Sequence, residues 1–425
     1  MGIAKKIGQH FIWRSLYLAS VFIVNLLLTR ILGASESGEF YLLINNVSFL
    51  VLITGFCLES AFIYYGSSGK ISEEKMSGLA MIWALISSAI VFILLIYFWP
   101  RSIHSRIEYL FWCLYLLGLL FISYFSSLFS VRQDFKMPNI ILCAVNILFI
   151  CLMLFGTQQK NGDAYFILKA GYLSTAFLQG GLIAVVFLVK NKMAISKPPG
   201  SSEISLLLKY ASLSLAANFV FFLVYRIDYW VINYFRTDAE LGNYIQVSKL
   251  GQLFILVPSM FATVIFPATA YRVGEDMSQN LARAARLLFS IYLIVLLGVA
   301  IVGKWLFPWM FGESFGQMSQ AFAWLCPGLL AIALQTLLAA WFAGKNMAIH
   351  NIIGAIIALV FIVGFDLLLI PKYGIIGAAI ASSIGYISYF IYQFIVWKKQ
   401  SKISLINFII VDKSDIDWAK NILIR

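Results

Sequence analysis

Charged side chains are scarce in this sequence of 425 residues: Asp, Glu, Lys and Arg make up only 12% of it. A soluble globular chain carries about 25%, so this one cannot cover a water-facing surface of its own size. Histidine is rarer still, with His10, His104 and His350 far apart. There is no HExxH motif and no ligand-spaced cluster, so no signature of a resident metal. The five cysteines (Cys57, Cys113, Cys143, Cys151 and Cys326) fall in apolar stretches and form no CxxC pair. They read as small buried hydrophobes. A Walker A motif is missing too. Gly66-Ser67-Ser68-Gly69-Lys70-Ile71 has the wrong spacing, and isoleucine stands where Ser or Thr must follow the lysine. ATP hydrolysis, cofactor chemistry and catalysis by a nucleophile or acid–base pair are therefore not expected.

Apolar mass is what the chain has in abundance. Hydrophobic residues make up 61% and aromatics 16%, and the mean hydropathy is +0.89. That composition excludes disorder and leaves a polytopic all-α membrane protein. Apolar segments recur near 11–33, 40–65, 77–99, 109–131, 138–156, 164–189, 206–235, 242–270, 284–303, 318–343, 349–370 and 374–397. At about 20 residues per crossing, twelve crossings use about 240 residues and leave short loops. The first segment follows Lys5 and Lys6, as a signal peptide would. It is longer than a signal core and contains Arg14, so a retained span is expected.

The net charge is +12, from 31 Lys and Arg against 19 Asp and Glu. In a soluble protein this surplus would suggest nucleic acid. Here its distribution accounts for it. With the N-terminus inside, twenty Lys and Arg fall on inner loops and the tail. Six fall outside: Arg101, Arg106, Lys160, Arg236, Lys304 and Lys372. Cationic residues gather in cytoplasmic loops, so both termini are expected in the cytoplasm. No nucleic-acid partner is needed.

The longest polar interval is 190–205, with Pro198, Pro199, Gly200, Ser201 and Ser202. Its composition is that of a linker. The expected organisation is an N-terminal six-helix lobe over 1–189, a cytoplasmic linker over 190–205, a C-terminal lobe over 206–397 and a cytoplasmic tail over 398–425. The halves share a weak repeat. At an offset of 204, Glu36 and Gly38 align with Glu240 and Gly242, each pair in a tight turn between two spans. Two lobes in one orientation fit parallel repeats related by an axis along the membrane normal, with substrate bound between them.

Several stretches carry a family resemblance. Arg30-Ile31-Leu32-Gly33 followed by Glu36 to Tyr41 is similar to the opening of polysaccharide flippases. Gly55 to Ala61 resembles the end of their second span, and Tyr225-Arg226-Ile227-Asp228 resembles an "RID" signature in their seventh. Phe266-Pro267 and Leu369-Ile370-Pro371-Lys372-Tyr373-Gly374 through Ala381 match later signatures in the same order. The family is the Wzx-type lipid-linked oligosaccharide flippases of the MOP superfamily, which also holds the MATE exporters and the lipid II flippases. The resemblance implies a MATE-like fold of about twelve helices in two lobes with a central cavity. It implies alternating-access transfer of an undecaprenyl-pyrophosphate-linked glycan, such as an O-antigen repeat unit, to the outer leaflet. A polysaccharide polymerase and a chain-length regulator become plausible partners beside the membrane lipids. Lipid II flippases carry two further spans, which argues mildly against that branch.

Ionisable side chains within spans carry the functional expectations, because each costs about 2.5–3.5 kcal/mol at the bilayer centre on insertion scales. Arg226 and Lys249 are candidate donors to a pyrophosphate. Asp228 lies at the depth of Lys249 on the adjacent helix, so either a structural ion pair or a coupling role is expected for it. Arg14 and Glu59 overlap in depth and could pair. Arg14 could also capture substrate phosphate or snorkel to headgroups, and Glu59 could gate or couple. Arg30 reads as a further cavity candidate near its span's outer end, where snorkelling competes. Asn25 and Asn218 could bind sugar hydroxyls or bridge helices.

A second reading of the same architecture is a cation-coupled exporter of small cationic drugs. Its site should be rich in carboxylates, whereas with the span edges omitted only Asp228 and Glu59 stand against Arg226 and Lys249, which favours an anionic ligand. A membrane-embedded glycosyltransferase or polymerase would need larger outer loops than these.

Overall fold

The computed structural model describes residues 3–98, 106–156, 162–191, 198–271, 277–412 and 415. Expectations on Arg101, His104, Lys160, Lys192, Lys197, Arg272 and most of the tail after 412 lie outside the described residues, as do the side chains of Lys5, Lys6, His10 and Arg106. Every assigned element is helical, as lipid demands: a lipid-exposed backbone must satisfy its own polar groups. Eleven helices among the described residues are long and apolar enough to cross a membrane.

The chain forms two compact units. The first holds residues 1–32 and 40–219. It contains α1 (Ile3–Gly55), α2 (Leu58–Ser67), α3 (Glu73–Phe98), α4 (Arg106–Val131), α5 (Lys136–Gly156), α6 (Gly162–Lys190) and the first part of α7 (Ser201–Phe235). The 53 residues of α1 would span about 80 Å as one rod, far beyond a hydrocarbon core of about 30 Å. The helix breaks at Gly33, whose φ of 79° and ψ of 176° are non-helical and suit glycine. The break makes two crossings, so the first two expected spans exist with no loop between them.

The second expected span is not continuous. Phe56 and Cys57 both have positive φ, 58° and 50°, and end the helix at Gly55. The freed carbonyls are satisfied by side chains. Tyr124 donates to the Gly55 oxygen at 2.8 Å. Trp83 and Ser87 both donate to the Thr54 oxygen at 2.9 Å. The core of this unit is aromatic, with edge-on pairs Phe62–Tyr124, Phe125–Phe187 and Phe129–Phe187. The start of α7 packs here: Leu207 and Ala211 are fully buried, and Tyr210 stacks on Tyr64.

The second unit holds residues 33–39 and 220–425. It contains the rest of α7, α8 (Asp238–Phe254), α9 (Leu256–Tyr271), α10 (Ser278–Phe311), α11 (Met318–Gly344), α12 (Ile349–Tyr373), α13 (Ile375–Ser401) and α14 (Leu405–Ile409). Within it the two turns of the expected repeat meet reciprocally. A Cβ on Gly38 would lie 2.0 Å from the Asp238 carbonyl oxygen, and one on Gly242 would lie 1.9 Å from that of Ala34. Ala34 and Asp238 are themselves related by the offset of 204. Only hydrogens fit at these points, so the two backbones touch, as small residues permit at membrane helix crossings. Gly374 has a φ of 57°, and its missing Cβ leaves room for Arg236, 2.6 Å from where that Cβ would be. Arg236 is in turn paired with Glu240 at 2.9 Å. This is the physical content of the glycine in the Leu369-to-Gly374 stretch.

A buried carboxylate cluster in the second unit

Four helices of the second unit bring polar side chains into one apolar interior. Asp228 comes from α7, Tyr244 from α8, Asp366 from α12 and Ser382 from α13. Asp228 is 2% exposed and Asp366 is 0% exposed. The Tyr244 hydroxyl donates to Asp228 Oδ2 at 2.5 Å, and the Ser382 hydroxyl donates to the same oxygen at 3.3 Å. Tyr244 and Ser382 lie 3.1 Å apart. Asp228 Oδ1 and both oxygens of Asp366 have no hydrogen-bond partner. Asp228 and Asp366 act electrostatically on one another, and both act on Tyr244 and Tyr386.

Buried carboxylates are tolerated when paired, hydrogen-bonded or neutralised. Here the hydroxyls satisfy one of four oxygens. The Asp228 carboxylate with its phenol and serine hydroxyl therefore suits a proton or a small monovalent cation, and Asp366 adds a second buried acid within its electrostatic reach. Arg226 lies within the electrostatic reach of both Asp228 and Lys249, and its guanidinium sits 5.6 Å from the centre of the Phe222 ring.

A protein-family model described as "Lipid II flippase MurJ" matches residues 28–419. The chain belongs to the MurJ family. Among solved structures it is similar to a lipid II flippase MurJ in an inward closed conformation, at 16% identity and a TM-score of 0.74, over 95% of this chain and 89% of that one. It is also similar to a multidrug resistance MATE family transporter of the MOP superfamily in an inward-facing conformation, at 16% identity and 0.70, over 91% and 94%. A Vibrio cholerae MATE transporter in its bent form matches at 13% identity and 0.58, over 94% and 98%. At these identities the structures show the fold alone, and that fold is the MATE-like one expected. No curated protein matches at the sequence level. The MurJ family is one of membrane flippases, so this chain is a multi-pass transporter of the MOP superfamily and not an enzyme. The family match runs to the lipid II branch, which the count of twelve spans had argued against.

Three sequence expectations about this MurJ-family chain need correction. The Asp228–Lys249 ion pair does not form; hydroxyls of Tyr244 and Ser382 meet Asp228 instead. Arg14 and Glu59 do not pair either. The Arg14 guanidinium lies 5.4 Å from the centre of the Tyr17 ring, and Glu59 sits in the first turn of α2 after the break at Cys57. The third error is an omission. Asp366, a lone carboxylate inside the apolar run of α12, was not counted. With it, the spans of the second unit carry two carboxylates and two cations, so the lean towards an anionic ligand is lost there. The signal was available, because any ionisable residue within an apolar span is a functional candidate.

The remaining candidates divide between the units. Arg14, Asn25, Arg30, Glu59 and Asn218 belong to the first, and Arg226, Asp228 and Lys249 to the second. Asn218 donates to the Cys57 sulfur at 3.5 Å, beside the break between α1 and α2. Asn25, Arg30, Arg226 and Lys249 are all engaged in interactions. Lys169, a span residue with no assigned role, lies 5.9 Å from the Phe40 ring centre.

Proposed function

We propose that this MurJ-family chain moves a polyprenyl-pyrophosphate-linked glycan from the cytoplasmic to the outer leaflet of a bacterial inner membrane by alternating access. The observation that carries the reading is the family match across residues 28–419. The pyrophosphate is common to lipid II and to lipid-linked oligosaccharides. Arg226 and Lys249 supply guanidinium and ammonium donors for it, with Arg14 as a first capture point and Arg30 further along. Asn25 and Asn218 meet sugar hydroxyls.

Transport is driven through Asp228 and Asp366. A proton or monovalent cation binds the pair in one conformation and leaves in another, so its binding energy differs between states and shifts their populations. Glu59 gates beside the break in the second span. Both termini face the cytoplasm, as the twenty-to-six distribution of Lys and Arg supports. The lobes are divided at the linker over 190–205, although the compact units carry the start of α7 and residues 33–39 across that boundary, and a polymerase and chain-length regulator act on the delivered glycan.

The glycan itself separates two readings. The ordered motifs from Arg30 to Ala381 favour a surface-polysaccharide repeat unit, and the family description favours a peptidoglycan precursor. A depletion strain decides between them. Accumulation of undecaprenyl-linked oligosaccharide that is cleared by restoring the gene supports the first. Accumulation of lipid II with arrest of wall synthesis supports the second. If neither pool changes, lipid-linked transport fails and cationic-drug efflux is the assay to run.

A further inference from the structure

The C-terminal segment does not trail from the last span; it folds back onto α10. After α13 the chain turns at Lys402, which is left-handed with φ 59°. Ser404 caps α14 by accepting from the Asn407 amide at 3.3 Å. Phe408 is fully buried against Phe394 and Trp397, at ring distances of 5.3 and 4.9 Å. Asp415, also fully buried, closes the segment by taking two hydrogen bonds from Arg286 of α10, each 2.6 Å. Arg286 also donates to the Asn407 carbonyl oxygen.

A cleft of about 520 Å³ remains between α10 and this segment. The segment lines it with Ile403, Ile406, Asn407 and Ile410, and α10 lines it with Gln279 and Arg283. Ile406 and Ile410 are 66% and 63% exposed, although the segment could have turned them inwards as it does Phe408. Arg286 is committed to Asp415. Arg283 is held more loosely: it is ion-paired with Asp415 at 3.9 Å, beyond hydrogen-bond distance, and it lines the cleft. Asp412 lies on the rim. Lys398, Lys399 and Lys402 are exposed at the adjoining end of α13, so the surroundings are net cationic.

Exposed apolar side chains beside basic ones, at the end of a membrane span, match the boundary between acyl chains and anionic headgroups. We propose that this cleft holds one anionic phospholipid, its phosphate on Arg283 and an acyl chain along Ile406 and Ile410. A zwitterionic lipid offers the same chains without the net charge, and a peptide offers no reason for one loosely paired arginine beside an exposed isoleucine pair at the end of a span. The inference goes beyond the transport reading and uses it only to say that the cytoplasmic leaflet supplies the lipid.

The test uses full-length protein in nanodiscs of equal phosphatidylglycerol and phosphatidylcholine, released into native mass spectrometry. Wild type should retain phosphatidylglycerol over phosphatidylcholine by about five-fold, the contribution of one basic side chain near a charged surface. Arg283→Gln should bring the ratio to about one, and Ile406→Ser should lower retention of both lipids. The triple variant Lys398→Gln, Lys399→Gln, Lys402→Gln should keep the preference, because those lysines do not line the cleft. Equal retention by wild type, or a preference that survives Arg283→Gln and disappears in the triple variant, would overturn the site in favour of a peptide or a diffuse basic surface. Unchanged thermal unfolding of Arg283→Gln excludes loss of fold. Labelling of Lys402→Cys from the periplasmic side would sink the orientation while leaving the nanodisc result intact.

Discussion

Two buried polar networks, one in each unit, are built in opposite ways. The one around Gln179 in the first unit is neutral and closed. Gln179 donates to the Asn146 side-chain oxygen at 2.8 Å and to the Leu142 carbonyl at 3.1 Å. Asn146 donates to Ser20 at 2.9 Å, and Ser20 donates to the Tyr17 carbonyl at 2.7 Å. In the second, two acids are buried with three oxygens unpartnered. A closed neutral network makes a rigid, specific core. An open acidic one is costly unless something arrives to complete it. On the mechanism proposed above, the first network is structural and the second is the moving part.

The largest expected effect sharpens that contrast. Asp366→Asn keeps the shape and removes the ionisable group, and it should lower glycan transport at least about tenfold, a barrier change of about 1.4 kcal/mol. Gln179→Leu in the first unit should leave transport within a few-fold at matched membrane levels. Similar transport rates for the two variants would break the comparison. Next is the backbone crossing. Gly242→Val places its Cβ 1.9 Å from the Ala34 oxygen, and separating the helices should cost about 1–3 kcal/mol or more, read as a fall in the thermal midpoint. Gly298→Val, with open space where its Cβ would go, should not. Gln179→Leu comes third. Leaving Asn146 and the Leu142 carbonyl short of a donor should cost about 1–3 kcal/mol of stability, seen in denaturant unfolding and not in the transport turnover of the folded fraction.

The smallest effect concerns the tail. Hydrogen bonding from Arg286 holds the Asp415 carboxyl below the ordinary value of 3.8. A depressed folded value means the stabilisation is fully present above that ordinary value and is lost as pH falls through the lowered one. Labels on Gln279→Cys and Val411→Cys should therefore keep one short distance from pH 7 down to about 4 and separate only below it. Separation between pH 5 and 7 would mean that Asp415 does not hold the segment.

Much of the architecture was legible in the sequence, because hydropathy and length answer directly to bilayer thickness. The offset of 204 was legible as well, from two glycines and two glutamates, and its reciprocal contact gives those glycines a physical reason. The breaks were harder. Gly33 closes the first expected span with nothing in the sequence to mark it as a kink in one long helix, and no glycine marks the break at Phe56 and Cys57, where Tyr124, Trp83 and Ser87 donate to the freed carbonyls. The site was half legible. Asp228 was singled out, but its partners were misjudged by pairing residues on depth alone. Tyr244 and Ser382 are ordinary in the sequence, 16 and 154 residues from Asp228, and only packing makes them donors.

By itself the sequence determined the solvent, since a chain with so few charges and so many apolar runs can satisfy its backbone only as helices in lipid. It determined the crossings, because their length and hydropathy answer to the bilayer. The tertiary structure decided which charges meet. Neighbouring depth on adjacent helices leaves the rotation of each helix open, and that rotation is set by packing around glycines such as Gly38 and Gly242. It turned Asp228 towards Tyr244 and Ser382, drew Asp366 into the field of the same cluster, and folded the tail back until Asp415 reached Arg286.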